Sequence, residues 1–187
     1  MKITAAVSRA PKAALSIETL ELDAPRDDEI LVRVVATGVC HTDIVVRDAL
    51  LPTPQPVVLG HEGAGIVARV GRNVTRVTVG DPVVMSFDSC GGCPSCIEHA
   101  PSYCHEFFPR NFFAVRADGS TALRRDQEVI HSHFFGQSSF ATHALCNERN
   151  VVRVADASPL ERLGRSCLVS RHIARQISSR FCRSVDF

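Results

Sequence analysis

The 187-residue sequence predicts a mainly β protein, built as a barrel or a sandwich of short strands. Three observations lead to this fold class. Short segments that alternate apolar and polar residues recur through residues 1–155. Glycine, proline and aspartate separate them at a spacing of roughly ten residues, as in small all-β domains. Only one segment in this part of the chain has the pattern of a helix.

The strands are predicted from alternation and from the turns that flank them. Pro25 lies in the polar turn before the first, and Gly71 and Gly80 begin later turns. A helix is expected over Thr42–Leu50, because prolines from Pro52 onward prevent its continuation. The six predicted strands are Ile30–Val35, Gly65–Val70, Val74–Val79, Val83–Phe87, Phe140–Leu145 and Asn150–Val154.

Composition excludes several classes of protein. Hydrophobic residues make up 45% of the chain and charged residues 22%, which is ordinary for a globular protein. A net charge of +1 gives no electrostatic reason to expect nucleic acid or membrane as a partner. Neither a signal peptide nor a run of roughly 18 apolar residues is seen, so we expect the cytoplasm.

The last 27 residues differ from the rest. Residues 161–187 contain six arginines against two acidic residues, a net charge of +4, and only one glycine. We therefore divide the chain into a domain at 1–160 and an atypical basic tail at 161–187. Two interpretations of the tail stay open: it is the product of a shifted reading frame, or it forms a short basic helix with a role of its own.

Four cysteines lie within fifteen residues, at Cys90, Cys93, Cys96 and Cys104. Four thiolates at such spacing are typical of a closed, structural zinc site. An iron–sulfur cluster is the main competitor, but its usual run has three residues before the fourth cysteine and a proline after it. Here seven residues precede Cys104 and His105 follows it, so zinc is favoured over a cluster and over four free thiols.

A second pair of metal-ligand residues lies upstream, at Cys40 and His61. A cysteine and a histidine 21 residues apart are weak evidence alone, since both often serve as core residues. Their neighbours include Thr42, Asp43 and Glu62, which are the hydroxyl and acidic types that support catalytic zinc and proton transfer.

These motifs together resemble the zinc-dependent medium-chain dehydrogenase/reductase family. The family pattern G-H-E-x2-G-x5-[GA]-x2-[small or aliphatic] is matched in full, and the four clustered cysteines match the spacing of its structural-zinc lobe. Three stretches, at 35–43, 60–67 and 134–144, are most similar to the aryl-alcohol (benzyl-alcohol) dehydrogenases. The residues that match the pattern are Gly60, His61, Glu62, Gly65, Gly71 and Val74.

The resemblance implies a GroES-like, partly open β-barrel that carries a structural-zinc lobe. It implies that Cys40 and His61 bind a catalytic zinc ion, that Asp43 orients the His61 ring, and that Glu62 lies beside the zinc as a partner or transient ligand.

The implied reaction is oxidation of a primary alcohol to an aldehyde. Thr42 would hydrogen-bond the substrate hydroxyl and pass its proton outward, and His41 would contact the pyrophosphate of NAD. A small alcohol or aldehyde is then the expected partner, and the oligomeric state stays open.

Three departures from the family pattern qualify this expectation. Val45 stands where some relatives have a second relay histidine. The third zinc ligand is normally a cysteine in a glycine turn; Cys167 lies within about a residue of that place, but its neighbours do not match. No strand, G-x-G-x-x-G loop and helix follow residue 160, so we expect the Rossmann domain for NAD to be absent. Gly63–Ala68 imitates this fingerprint but continues into a predicted strand.

Two functions therefore remain from the sequence. The chain is the catalytic domain of a zinc alcohol dehydrogenase, inactive alone for lack of the cofactor domain, or a zinc-binding module without turnover. His131 and His133, which lie together in a polar stretch, are expected to be exposed loop residues.

Overall fold

A computed structural model describes residues 1–163 as two five-stranded sheets with short helices between the strands. Residues 164–187, which include Cys167, lie outside the described residues. The strands are β1 Lys2–Ser8, β2 Ser16–Leu22, β3 Glu29–Gly38, β4 Val57–Val58, β5 Glu62–Val70, β6 Pro82–Met85, β7 Leu123–Arg125, β8 Glu128–Ile130, β9 His143–Asn147 and β10 Val151–Arg153. One sheet has the strand order β4-β1-β2-β7-β8, and the other has β10-β6-β5-β3-β9.

The helices are short and lie in the connections between strands. None within residues 1–163 is long and apolar enough to cross a membrane. The expected helix begins at His41 and ends at Arg47, earlier than the prolines alone would require. The α-helices are α1 His41–Arg47, α2 Pro94–Ile97, α3 Phe107–Phe112 and α4 Leu160–Leu163, and single 3-10 turns cover Pro101–Tyr103, Phe134–Gly136 and Glu148–Asn150.

All pairs of named strands within the described residues are antiparallel. A dinucleotide-binding unit needs parallel strands joined by a crossover helix, so residues 1–163 contain none. Gly63 and Gly65 lie inside β5 and do not open a helix, which confirms that the glycine-rich stretch is not a cofactor loop.

β3 is an inner strand of the second sheet and pairs with both β5 and β9. Ile30 and Val32 are fully buried and pack with Val67, Val83 and other apolar side chains in one core cluster. β1 of the first sheet bonds the segment before β9, because Ala6 N donates to Phe140 O over 2.8 Å. Leu31 of β3 and Leu145 of β9 pack with buried side chains of β1 and β2 in another core cluster, to which both sheets therefore contribute.

One predicted strand, Val74–Val79, is wrong. Its backbone is fixed by carboxylates instead of a partner strand. Thr75 N donates to Glu148 Oε2 over 2.9 Å and Thr78 N donates to Asp81 Oδ2 over 2.8 Å. Of its valines, Val77 is buried at 4% exposure, whereas Val79 is 63% exposed. The alternation therefore reflects a loop pinned by two acidic side chains.

The expectation that His133 is an exposed loop residue is also wrong. His133 is 7% exposed, and its Nε2 lies 3.6 Å from Glu29 Oε1. Glu29 forms a two-pronged ion pair with Arg116, with Nε–Oε1 at 2.6 Å and Nη2–Oε2 at 3.0 Å. Burial raises the pKa of Glu29, but the nearby His133 imidazole and hydrogen bonds from Arg116 and the Arg26 backbone outweigh it and lower that pKa to about 2. His131 is half-buried.

Candidate metal centres

The lobe cysteines converge on one point. The sulfur atoms of Cys90, Cys93, Cys96 and Cys104 all lie within 4.8 Å of one another, and Cys104 is buried. No described cysteine forms a disulfide. Gly91, with φ of 75°, turns the chain between the first two cysteines. A tetrahedron of sulfurs about 2.3 Å from zinc has edges of about 3.8 Å, and Cys90 Sγ and Cys96 Sγ are 3.9 Å apart.

The thiols of the lobe have strongly divergent acidities. A backbone hydrogen bond from His105 lowers the pKa of Cys93 to about 6, despite some burial. Burial and the neighbouring sulfurs raise the pKa of Cys96 to about 12. Four crowded thiols cannot all ionise without a compensating cation, so the donor set fits a soft divalent metal such as zinc.

The second cluster forms where two paired strands end. Gly38, at the end of β3, pairs with Glu62, at the start of β5. Cys40 follows β3 by two residues, and His61 immediately precedes β5. The antiparallel pairing therefore brings together residues 21 positions apart, and ligand atoms of Cys40, His61 and Glu62 lie within 4.8 Å of one another. A Cβ at Gly38 would collide with the Glu62 carboxylate.

Asp43 holds this cluster from one side. Its Oδ2 accepts a hydrogen bond from Cys40 N at 2.9 Å, which ties the start of α1 to the ligand. Its Oδ1 accepts from Gly60 N at 3.0 Å and lies 3.1 Å from His61 Nδ1. Asp43 is only 3% exposed. One buried carboxylate thus fixes the backbone before both candidate ligands and the orientation of the imidazole.

The nitrogen of His61 that faces away from Asp43 has no hydrogen-bond partner. His61 Nε2 is buried in a side chain that is 1% exposed. An unpaired buried nitrogen is costly, so most such atoms have a partner. A cysteine sulfur and a carboxylate oxygen lie beside it. This donor set fits zinc, which takes sulfur, imidazole nitrogen and carboxylate oxygen.

The acidities in the cluster follow its burial and its charges. Burial lowers the pKa of His61, but the Asp43 carboxylate outweighs it, so the pKa is raised. Burial would raise the pKa of the Cys40 thiol, but hydrogen bonds with Thr42, together with the electrostatic effect of the nearby His61 imidazole, lower it overall. Burial, with the negative charge of Asp43, raises the pKa of Glu62.

The remaining candidate residues lie on α1. Thr42 is half-buried and its Oγ1 lies 3.7 Å from Cys40 Sγ, whereas His41 is exposed. Val45 is half-buried and has no group that could carry a proton. The structure therefore places Thr42 against the cluster and His41 at its outer edge.

An aromatic wall beside the cluster was not predicted as part of the site. The Phe135 ring stacks on the His61 ring, with centroids 4.6 Å apart and an interplanar angle of 28°. Phe134 meets the same imidazole edge-on at 5.7 Å. Phe107 and Phe112 pack against Phe135 at 6.3 and 5.1 Å. The sequence signal was the pair of phenylalanines at 134–135, although nothing local indicated that they meet His61.

Comparison with known proteins agrees with this architecture. Residues 26–156 match the model of the alcohol dehydrogenase GroES-like domain. The chain belongs to this family. The predicted GroES-like fold is thereby confirmed, and so is the resemblance to the zinc-dependent alcohol dehydrogenases.

Three bacterial proteins illustrate the similarity of this GroES-like domain to alcohol dehydrogenases. The solved alcohol dehydrogenase zinc-binding domain protein of Burkholderia ambifaria is 52% identical, with a TM-score of 0.88 over 89% of this chain and 45% of its own. Benzyl alcohol dehydrogenase of Acinetobacter calcoaceticus is 48% identical, with a TM-score of 0.83 over 88% of this chain and 44% of its own. Geraniol dehydrogenase of Castellaniella defragrans is 48% identical over 161 residues, 86% of this chain and 43% of that protein. The chain thus spans less than half the length of these relatives.

Proposed function

We propose that residues 1–160 are the catalytic domain of a zinc-dependent dehydrogenase that oxidises primary alcohols to aldehydes with NAD. The observation that carries the proposal is the convergence of Cys40, His61 and Glu62 around the unpartnered His61 Nε2. Membership of a domain family of alcohol dehydrogenases supports it. The lobe cysteines would hold a second, structural zinc ion.

Within the catalytic cluster each residue has a separate task. Cys40 and His61 would hold the metal and Asp43 would keep the imidazole in place. Glu62 would supply a third donor, in competition with Cys167, which lies outside the described residues. Zinc, when bound, would act as a Lewis acid on the oxygen of an alcohol. Thr42 would accept the hydroxyl proton and pass it outward, and His41 would contact the NAD pyrophosphate.

We propose that the substrate is an alcohol whose carbinol carbon adjoins an aromatic ring or a double bond. Benzyl alcohol and geraniol, which name two of the relatives, share this feature. The Phe135 ring is stacked on His61 and is 8% exposed, so the surroundings of the metal ligands are apolar and aromatic. Such surroundings suit a planar, conjugated substrate.

An alternative is a zinc-binding module without turnover. One observation favours it for the 187-residue chain taken alone: residues 1–163 contain no parallel dinucleotide-binding unit. Hydride transfer needs an acceptor held beside the substrate carbon. We therefore propose that this chain alone binds zinc but turns over slowly or not at all. The free cysteines suit a reducing compartment, and we propose the cytoplasm.

Metal analysis of the purified 187-residue chain tests the proposal. We expect two zinc ions per chain, one of which is lost in His61→Ala while the lobe ion stays. Comparing Glu62→Gln with Cys167→Ser then identifies the third ligand. A single zinc ion that is insensitive to His61→Ala would contradict the catalytic site. Benzyl alcohol or geraniol with NAD should give little NADH, and rapid NADH formation would refute the expected inactivity of the isolated chain.

A further inference from the structure

Strands β5 and β6 separate at the end that lies next to the catalytic cluster. They pair only from Ile66 with Pro82 to Ala64 with Val84. Beyond this last pair the ladder between them stops, although β5 continues to Glu62 and the chain continues to His61. A gap opens in the sheet directly beside the candidate metal ligand.

The side-chain amide of Gln137 fills this gap. Its Nε2 donates to His61 O at 2.9 Å and to Ser86 O at 3.1 Å. Its Oε1 accepts from Gly63 N at 3.1 Å. Gln137 is 1% exposed, so these are buried hydrogen bonds with no competing water. The Gln137 amide thus replaces the hydrogen bonds missing between β5 and the chain after β6, and it bonds the backbone of the residues before and after Glu62.

Neighbouring residues leave room for the Gln137 amide and hold the loop that carries it. A Cβ at Gly63 would lie 2.3 Å from Met85 Cε, 2.7 Å from Ser139 Cβ and 3.0 Å from Gln137 Oε1, so the glycine leaves room for close packing that includes the Gln137 amide. The loop that carries Gln137 includes Phe135 and Ser138 with φ of 50° and 51°. Left-handed backbone at such residues costs free energy and persists only where surrounding contacts enforce it. Ser138 Oγ provides one such contact, since it donates to Val58 O at 2.6 Å.

We propose that Gln137 is a positioning residue for His61, acting from the side opposite Asp43. This inference rests on the proposed zinc site. Asp43 fixes Nδ1 of the ring, and Gln137 fixes the carbonyl of the same residue. The loop that carries Gln137 also places the Phe135 ring on the imidazole face. The backbone, the Nδ1 atom and the ring face of His61 are then held in place before a metal ion binds. This order in the free protein lowers the free-energy cost of binding the ion.

The test compares Gln137→Met with Gln55→Met in the full 187-residue chain. Gln55 also makes two side-chain hydrogen bonds, to Ser8 Oγ and Arg47 O, but it contacts neither metal cluster. Competition with a chelator gives a zinc dissociation constant for each cluster, assigned by the loss of one in Cys40→Ser. Cobalt substitution gives a visible spectrum that reports the geometry of the ligands.

We expect Gln137→Met to weaken zinc binding at the catalytic cluster on the order of tenfold and to shift its cobalt bands. The lobe constant should not change, and Gln55→Met should change neither. Gln137→Glu is a second, isosteric variant that keeps an acceptor for Gly63 N but turns a carboxylate oxygen toward two carbonyls. Gln137→Glu should lose at least as much zinc affinity at the catalytic cluster. This variant provides the test if Gln137→Met does not fold.

Two results would overturn the inference. Equal weakening of both zinc sites would show that Gln137 serves only the stability of the fold. Unchanged zinc constants in both variants would show that His61 is positioned without it. A wild-type chain that holds only the lobe zinc would instead refute the proposed function itself, and the inference with it.

Discussion

Replacing Asp43 with asparagine should weaken zinc binding at the catalytic cluster by tenfold to a hundredfold. Asp43 accepts three hydrogen bonds, and the amide of asparagine can accept on only one of its two arms. If the oxygen stays with Gly60 and His61, the new NH2 group faces Cys40 N, and one buried donor loses its partner. That loss costs about 1–3 kcal/mol of folding stability. Loss of the carboxylate behind the imidazole costs about 1.4–2.7 kcal/mol of zinc affinity.

The assay is chelator competition, read separately for the two zinc sites. Asp48→Asn is the matched control, because Asp48 lies at the end of the same helix and bonds only the neighbouring Arg47 at its partly exposed surface. The control should leave both constants within about twofold, as expected for a surface ion pair. Equal zinc affinity in Asp43→Asn and Asp48→Asn would refute the reasoning, since the three buried contacts would then contribute nothing to the metal site.

Three further outcomes follow from the structure. Glu29→Gln should lower the free energy of unfolding by about 3 kcal/mol, because buried Arg116 loses its two-pronged partner and is left with the longer ion pair to Asp23 at 3.4 Å. Thermal melting should show a drop of about 6–12 °C, whereas Asp27→Asn at an exposed ion pair should show almost none. Because the pKa of Glu29 is lowered to about 2, the contribution of this carboxylate to folding stability is complete above about pH 4.5 and is lost as the pH falls toward 2. The difference in melting temperature between wild type and Glu29→Gln should therefore shrink over that pH range. Cys104→Ser should remove the lobe zinc and leave the catalytic zinc, and metal analysis that finds both lost or both kept would contradict two independent sites.

The parts of the site that the sequence predicts well are those with local signals. Cys90 to Cys104 are close in the chain, so their spacing alone indicates a common point in space. Cys40 and His61 could be paired because each adjoins a distinctive motif, and the pairing of β3 with β5 explains why they meet. Predicted strands with apolar partners on both sides, such as Ile30–Val35 and Val83–Phe87, lie where β3 and β6 are found.

The parts that the sequence does not predict depend on distant partners. Gln137 bonds residues 74 and 76 positions away, and no local pattern marks it. His133 lies in a polar stretch, but its neighbour Glu29 is more than a hundred residues earlier in the chain. β1 and β2 are not among the predicted strands, although they pair with each other along most of their length. Val74–Val79 shows the reverse error: it alternates, yet its backbone donors bond the distant Glu148 carboxylate and the nearby Asp81 carboxylate instead of a partner strand.

The two metal clusters differ in how much of the chain must be synthesised and folded before their ligand atoms can meet. A loop of about fifteen residues costs less conformational entropy to close than a longer one, so the lobe sulfurs can meet once that stretch has left the ribosome. The other cluster needs β3 and β5 to pair and then needs the segment around Gln137, which is synthesised some 75 residues after His61. During synthesis the lobe should therefore acquire its ion first, and the emerging chain would carry one metal ion well before it can accept a second.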